Sequence, residues 1–205
     1  MATTAYASCV FINCPFDSNY LELRNALIFA IYDCGFTPRC ALEEDNSGNV
    51  RFDKIQRLIE QSKFGIHDIS RTELDQTTGL PRFNMPLELG VFLGAKRFGN
   101  KIHTNKNLLI VDKEKYRYQA FISDIAGHDI QSHNNTPATL ITCVRNWLND
   151  ASGRKTIPGG SQIYTRFTKF KIDLPTICEQ IPIDIEELTY NDYSEFISEW
   201  LIQEG

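Results

Sequence analysis

Tyr6-Ala7-Ser8-Cys9-Val10-Phe11-Ile12 is a short run rich in β-forming residues; it breaks at Asn13-Cys14-Pro15-Phe16-Asp17 and gives way to a helical pattern from Leu21 to Cys34. Apolar residues at Leu23, Ala26, Leu27, Ala30 and Ile31 recur at helical spacing, and Gly35 supplies a stop. The same unit then repeats. Phe36 to Leu42 reads as a second strand, Glu43 to Asn49 as a polar loop, and Phe52, Ile55, Leu58 and Ile59 as one face of a second helix. Phe64 to Ser70 is predicted to be a third strand.

Arg71 to Asn84 has no apolar period, and an interruption of that length inside a compact domain is usually functional or disordered. Beyond it, Asn84 is the expected N-cap of a third helix, with Pro86 in its first turn, a buried face of Leu87, Val91, Ala95 and Phe98, and Gly99 as its stop. Asn107 to Asp112 follows as strand four, Tyr116 to Ile130 as a short helix leading to a fifth strand near His128 to Gln131, and Pro137 to Leu148 as a further helix.

Strands alternating with helices imply right-handed crossovers, hence an α/β fold: a flavodoxin-like parallel sheet with helices on both faces. Residues 1–150 would form this unit. Ser152 to Ser161 reads as a linker to a C-terminal helical appendage, 151–205, packed on the core or used for partner contact. Its first helix spans Ile163 to Gln180 with a break expected at Pro175. Within its last 22 residues, Asp184 to Gly205, seven are acidic and none is basic. Thr189 and Asp192 resemble a capping box there, ahead of an apolar stripe of Tyr193, Phe196, Ile197, Trp200 and Leu201.

The 205 residues are 42% hydrophobic and 23% charged with a net charge of -5, the balance of a globular protein. The N-terminus lacks the basic start and apolar stretch of a signal peptide, and no apolar run reaches the ~18 residues of a membrane span, so a cytoplasmic location without membrane contact is expected. The pI near 5.4 disfavours a nucleic-acid partner, which needs clustered Lys and Arg, but not a small phosphorylated ligand. Six cysteines without a Cys-x-x-Cys pair read as reduced core thiols. His128 and His133 have no neighbouring Cys or third His, so no metal site is expected.

In a doubly wound sheet, ligands bind beyond the carboxyl ends of the strands where the strand order reverses, here between strands one and three. That rule selects Asn13 to Asp17, Asp68 to Arg71, and the opening turns of the helix carrying Glu88. Glu88 stands among apolar neighbours with Gly90 and Gly94 following, where helix formers would cost less. Asp17 and Asp68 are candidates for holding ligand hydroxyls or for a second acid/base role, each with a duller alternative as a helix or turn cap. Arg71 and Arg82 flank the long loop and could grip a diphosphate; Asn84 stands beside them. Secondary candidates are Tyr20, Phe83 and His67: the first two, with Phe16, could stack on a ring, while His67 reads more readily as a satisfied buried histidine. No G-x-G-x-x-G turn follows strand one, which argues against a Rossmann hydride-transfer enzyme.

Asp68-Ile69-Ser70, the polar loop, Pro86-Leu87-Glu88-Leu89-Gly90-Val91-Phe92-Leu93-Gly94-Ala95 and the strand at Asn107 to Asp112 resemble the nucleoside 2-deoxyribosyltransferase fold. Together with Phe11-Ile12-Asn13-Cys14-Pro15-Phe16-Asp17, they also resemble the TIR-like proteins of bacterial antiphage defence, over roughly residues 6–150. The resemblance implies cleavage of an N-glycosidic bond with Glu88 as the catalytic carboxylate. NAD is the TIR-like substrate, with no further cofactor required, and a nucleoside or nucleotide is the transferase-like one. Asn13 and the backbone around Cys14 would contact the base or the nicotinamide amide. It also implies a homo-oligomer and a defence-system partner. A non-catalytic module that senses a nucleotide, or docks through the acidic C-terminal helix, is the alternative of a different class.

Overall fold

The computed structural model describes residues 6–74 and 79–204. Five parallel strands, β1 (Cys9–Asn13), β2 (Thr37–Arg39), β3 (Phe64–Asp68), β4 (Asn107–Asp112) and β5 (Gln131–Ser132), form one sheet in the order β2-β1-β3-β4-β5. This is the flavodoxin-like order, with its reversal between β1 and β3. Helices α1 (Leu21–Asp33) and α4 (Pro137–Ser152) cover one face, and α2 (Arg51–Glu60) and α3 (Asn84–Phe98) the other. Alternation along the strands sorts the core. Val10, Ile12, Phe64, Ile66, Leu109 and Val111 join α1 and α4, while Phe11 meets Ile55, Leu58, Ile59 and Phe92 of α2 and α3.

α1 buries residues almost all round, from Leu23 to Ile31, because a second helical layer covers its outer side. That layer is α5 (Gly160–Gln180) and α6 (Tyr190–Glu204). Phe29 of α1 meets the rings of Phe167 and Phe170 at 5.6 Å and of Trp200 at 5.9 Å. The predicted stripe of α6 is thus spent largely on its own chain, with Tyr193, Phe196, Ile197 and Trp200 buried. Its capping box forms: Asp192 accepts from the Thr189 N–H at 2.9 Å, and Thr189 Oγ1 from the Asp192 N–H at 3.2 Å.

Several elements depart from expectation. Tyr6–Ser8 is a 3-10 turn, so β1 begins at Cys9 and extends to Asn13. β2 is cut to three residues because Ala41–Glu43 forms a 3-10 turn, with Glu43 accepting from the Cys40 N–H at 2.7 Å and from Arg39 Nε at 2.8 Å. β3 stops at Asp68. Tyr116 to Ile130 contains no α-helix; two 3-10 turns, Arg117–Ala120 and Ser123–Ile125, follow a left-handed Tyr116, and the fifth strand starts later, at Gln131. α4 runs on to Ser152, where Gly153 adopts the left-handed conformation. α5 passes through Pro175 unbroken. Pro175 lies on the exposed face, where the carbonyl it frees can be hydrated, while Phe170, Leu174 and Cys178 hold the opposite side in the core.

α3 carries the largest correction. Asn84 is its first residue rather than its N-cap, and the cap position, Phe83, makes no side-chain cap bond. The buried face is Met85, Glu88, Leu89 and Phe92, whereas Leu87 and Phe98 are 54% and 86% exposed. Both sets obey helical spacing, and the sheet chooses between them. Gly65 of β3 leaves a socket for the Phe92 ring: a Cβ there would lie 2.6 Å from Phe92 Cε2. Seating Phe92 turns Glu88, one turn earlier on the same face, inward. Among the described residues no helix is long and apolar enough to cross a membrane. All six cysteines are free.

Candidate functional site

A cavity of about 640 Å³ opens at the carboxyl ends of β1 and β3, at the reversal of strand order, within the size range of small-molecule sites. The β1–α1 loop contributes Asn13 to Asp17, the segment after β3 contributes Arg71, and α3 with its approach contributes Arg82, Asn84, Met85 and Glu88. Asn13, Phe16, Asp17, Arg71, Arg82, Asn84 and Glu88, scattered over 76 positions of sequence, therefore line one concavity.

Glu88 is only 8% exposed, and loss of water pushes its carboxyl from 4.5 up to about 7, with the charge of Arg51 opposing the shift. The other two carboxylates of the lining among the described residues are held in ion pairs. Asp17 Oδ1 lies 3.3 Å from Arg71 Nη2, and Glu73 is bound by Lys113. Asp17 makes no side-chain cap to the turn that follows it, so its role as a helix cap is not realised.

Four predicted residues stand elsewhere. Asp68 is fully buried and accepts from the Tyr20 hydroxyl and from the Ser70 N–H, the latter at 2.7 Å, with His133 Nε2 at 3.1 Å from Oδ2. It is the turn cap and not a cavity residue. Tyr20, committed to Asp68, borders a neighbouring cavity of about 290 Å³ rather than the main one. Phe83 is 68% exposed and lies outside the lining. His67 is fully buried behind Asn13 against the rings of Phe11 and Phe92, and burial pushes it down to about 3, so it remains a neutral imidazole.

Arg51 is the residue that motif reading missed. It borders the cavity from the first turn of α2, its guanidinium 5.9 Å from the Phe16 ring centre. A cation in a first turn opposes the helix dipole, and that misplacement was the available signal. Cys14 also lines the cavity, but burial holds its thiol well above the ordinary range, so it stays protonated. Among the described residues no group of three or more His, Cys, Asp and Glu is arranged to hold a metal ion.

Fold and site together define a flavodoxin-like α/β protein with a small-molecule crevice at its strand-order reversal, lined among the described residues by one desolvated carboxylate and three arginines. Comparison of the chain with protein-family models, with curated proteins and with solved structures finds no match.

Proposed function

We propose that this protein cleaves the N-glycosidic bond between nicotinamide and ribose in NAD, releasing nicotinamide and an ADP-ribose product that is linear, cyclic or passed to an acceptor. The observation that carries this reading is the isolation of Glu88: it lines the cavity, desolvated, while Asp17 and Glu73 are tied to cations and Asp68 is sealed away. A site that offers one available carboxylate among the described residues suits a leaving group that needs no proton. Nicotinamide departs from a pyridinium, taking the electron pair of the C1′–N bond and becoming neutral. A nucleoside base departs as an anion unless a second acid protonates it.

In this mechanism ionised Glu88 stabilises the positive charge that develops at C1′ and the ring oxygen as the bond breaks. The cationic pyridinium favours the ionised form on binding. For hydrolysis, water then adds to C1′ and gives up a proton to Glu88 or to solvent. Arg71 and Arg82 are disposed to bind the diphosphate, and Phe16 to pack on a ring. The likeness to TIR-like proteins adds the setting of antiviral defence and the expectation of a homo-oligomer and a defence partner. A cytoplasmic location belongs to the same proposal.

The test is mass spectrometry of NAD incubated with the wild-type protein and with Glu88→Gln. Nicotinamide release that requires Glu88 is expected, and the mass of the second product separates hydrolysis or cyclisation from transfer. Base exchange on deoxynucleosides without action on NAD would replace this reading with a deoxyribosyltransferase. Saturable nucleotide binding without turnover would replace it with a sensing module.

A further inference from the structure

Asn13 ends β1 at the back of the cavity, 2% exposed, and its amide orientation is decided by its neighbours. The backbone carbonyl of Met85, which can only accept, lies 2.8 Å from Nδ2, so that atom is the NH2 group and not the oxygen. The same nitrogen lies 3.1 Å from His67 Nδ1. With one amide hydrogen on Met85 and the other directed at the ring, Nδ1 must be the unprotonated nitrogen and Nε2 must carry the proton. Burial of His67 agrees, because it keeps the imidazole neutral. His67 Nε2 itself finds no partner among the described residues and is sealed from solvent.

Both donors of the Asn13 side chain are thereby spent inside the protein. Its Oδ1 takes no hydrogen bond from the described residues and belongs to a residue that lines the cavity. Unlike His67 Nε2, this oxygen is not among the sealed unpartnered atoms, so the group Asn13 has left for a ligand in the cavity is an acceptor, held on one side by β3 through His67 and on the other by α3 through Met85.

We propose that Asn13 is a specificity-determining residue whose Oδ1 accepts an N–H of the substrate's carboxamide, selecting the nicotinamide dinucleotide over its nicotinic acid counterpart. The identity of the ligand rests on the NAD reading above. The selectivity follows from atom types. A carboxamide brings a donor to Oδ1, whereas a carboxylate brings only acceptors and a negative charge, and an acceptor facing an acceptor in a desolvated recess leaves both unsatisfied. His67 is then a positioning residue, acting through Asn13.

The experiment measures binding of NAD and of nicotinic acid adenine dinucleotide to Glu88→Gln by titration calorimetry. NAD is expected to bind roughly tenfold more tightly. Asn13→Ser in the same background is expected to weaken NAD and bring the ratio to within about twofold. Equal affinities in Glu88→Gln would overturn the assignment while leaving the NAD reading intact; binding of neither dinucleotide would overturn the NAD reading and the assigned partner with it. Because Asn13→Ser also removes bonds to β3 and α3, nitrogen NMR of His67 in the wild-type protein gives a second test. A proton on Nε2 and none on Nδ1 is expected, and a proton on Nδ1 would reverse the Asn13 geometry and overturn the proposal.

Discussion

His133 Nε2 lies 3.1 Å from Asp68 Oδ2, with both side chains fully buried. The contact joins the end of β3 to the residue that follows β5, across β4, which lies between them in the sheet. Asn135 N–H donates to His133 Nδ1 at 3.0 Å, which leaves the ring's proton on Nε2, close to the carboxylate but out of line for a hydrogen bond to it. Burial alone would raise Asp68, yet the contacts with His133, Ser70 and Tyr20 outweigh it and hold the carboxyl below its ordinary value. The carboxylate therefore braces the carboxyl ends of the strands from which the cavity opens.

Asp68→Ala is expected to lower stability by about 3 kcal/mol, since it leaves the buried Tyr20 hydroxyl and the Ser70 N–H without their acceptor and removes the carboxylate beside His133. Urea denaturation measures this. Because the folded-state carboxyl is depressed, its contribution is present above the unfolded value of 3.8 and is lost as pH falls through the folded value. The gap between variant and wild type should accordingly narrow only in strong acid. A gap that closes already near neutral pH would contradict the assignment.

Glu88 has the opposite sign. Its carboxyl is raised from 4.5 to about 7, so the folded state binds the proton more tightly and wild-type stability declines as pH rises from about 4.5 to 7. Glu88→Gln removes that cost. The variant should be more stable than wild type by up to about 3 kcal/mol above pH 7, and equal to it near pH 4. Thermal melts at both pH values check the point, and no pH dependence in the difference would refute the raised value.

Arg51 opposes the desolvation of Glu88, so Arg51→Met is expected to raise the Glu88 carboxyl further. If ionised Glu88 drives cleavage, the acid limb of NAD turnover lies near 7 in the wild type and moves upward by about half a pH unit in the variant. A pH–rate profile for each protein reads this directly. A limb that moved downward would refute the role given to Arg51, and activity lost on the alkaline side of the Glu88 titration would show that the protonated form is the active one.

Gly65→Ala places a Cβ 2.6 Å from Phe92 Cε2 and 3.0 Å from His67 Nε2. Overpacking of roughly 1–3 kcal/mol is expected, together with lower turnover because α3 must move and Glu88 with it. Adding Phe92→Leu should restore part of the lost stability by freeing the socket. Denaturation and turnover of the single and double variants form the cycle that measures the coupling.

The sequence by itself determined the succession of strands and helices, since periods of two and 3.6 record local backbone geometry and which faces are apolar. Given a flavodoxin-like order it also pointed to where the crevice lies, and most of the cavity lining came from segments that this rule selects, while the strand order itself came from the tertiary structure. Only the tertiary structure decided which face of α3 is buried. Leu87, Val91, Ala95 and Phe98 satisfy helical spacing as well as Met85, Glu88, Leu89 and Phe92 do, and the choice depends on a glycine one strand away that admits the Phe92 ring. Tertiary contacts likewise turned Asp68 from the cavity to Tyr20 and His133, brought Arg51 to the cavity rim, and spent both amide hydrogens of Asn13 inside the protein. Local periodicity cannot carry such information, because each of these outcomes is set by a partner tens of positions away in sequence.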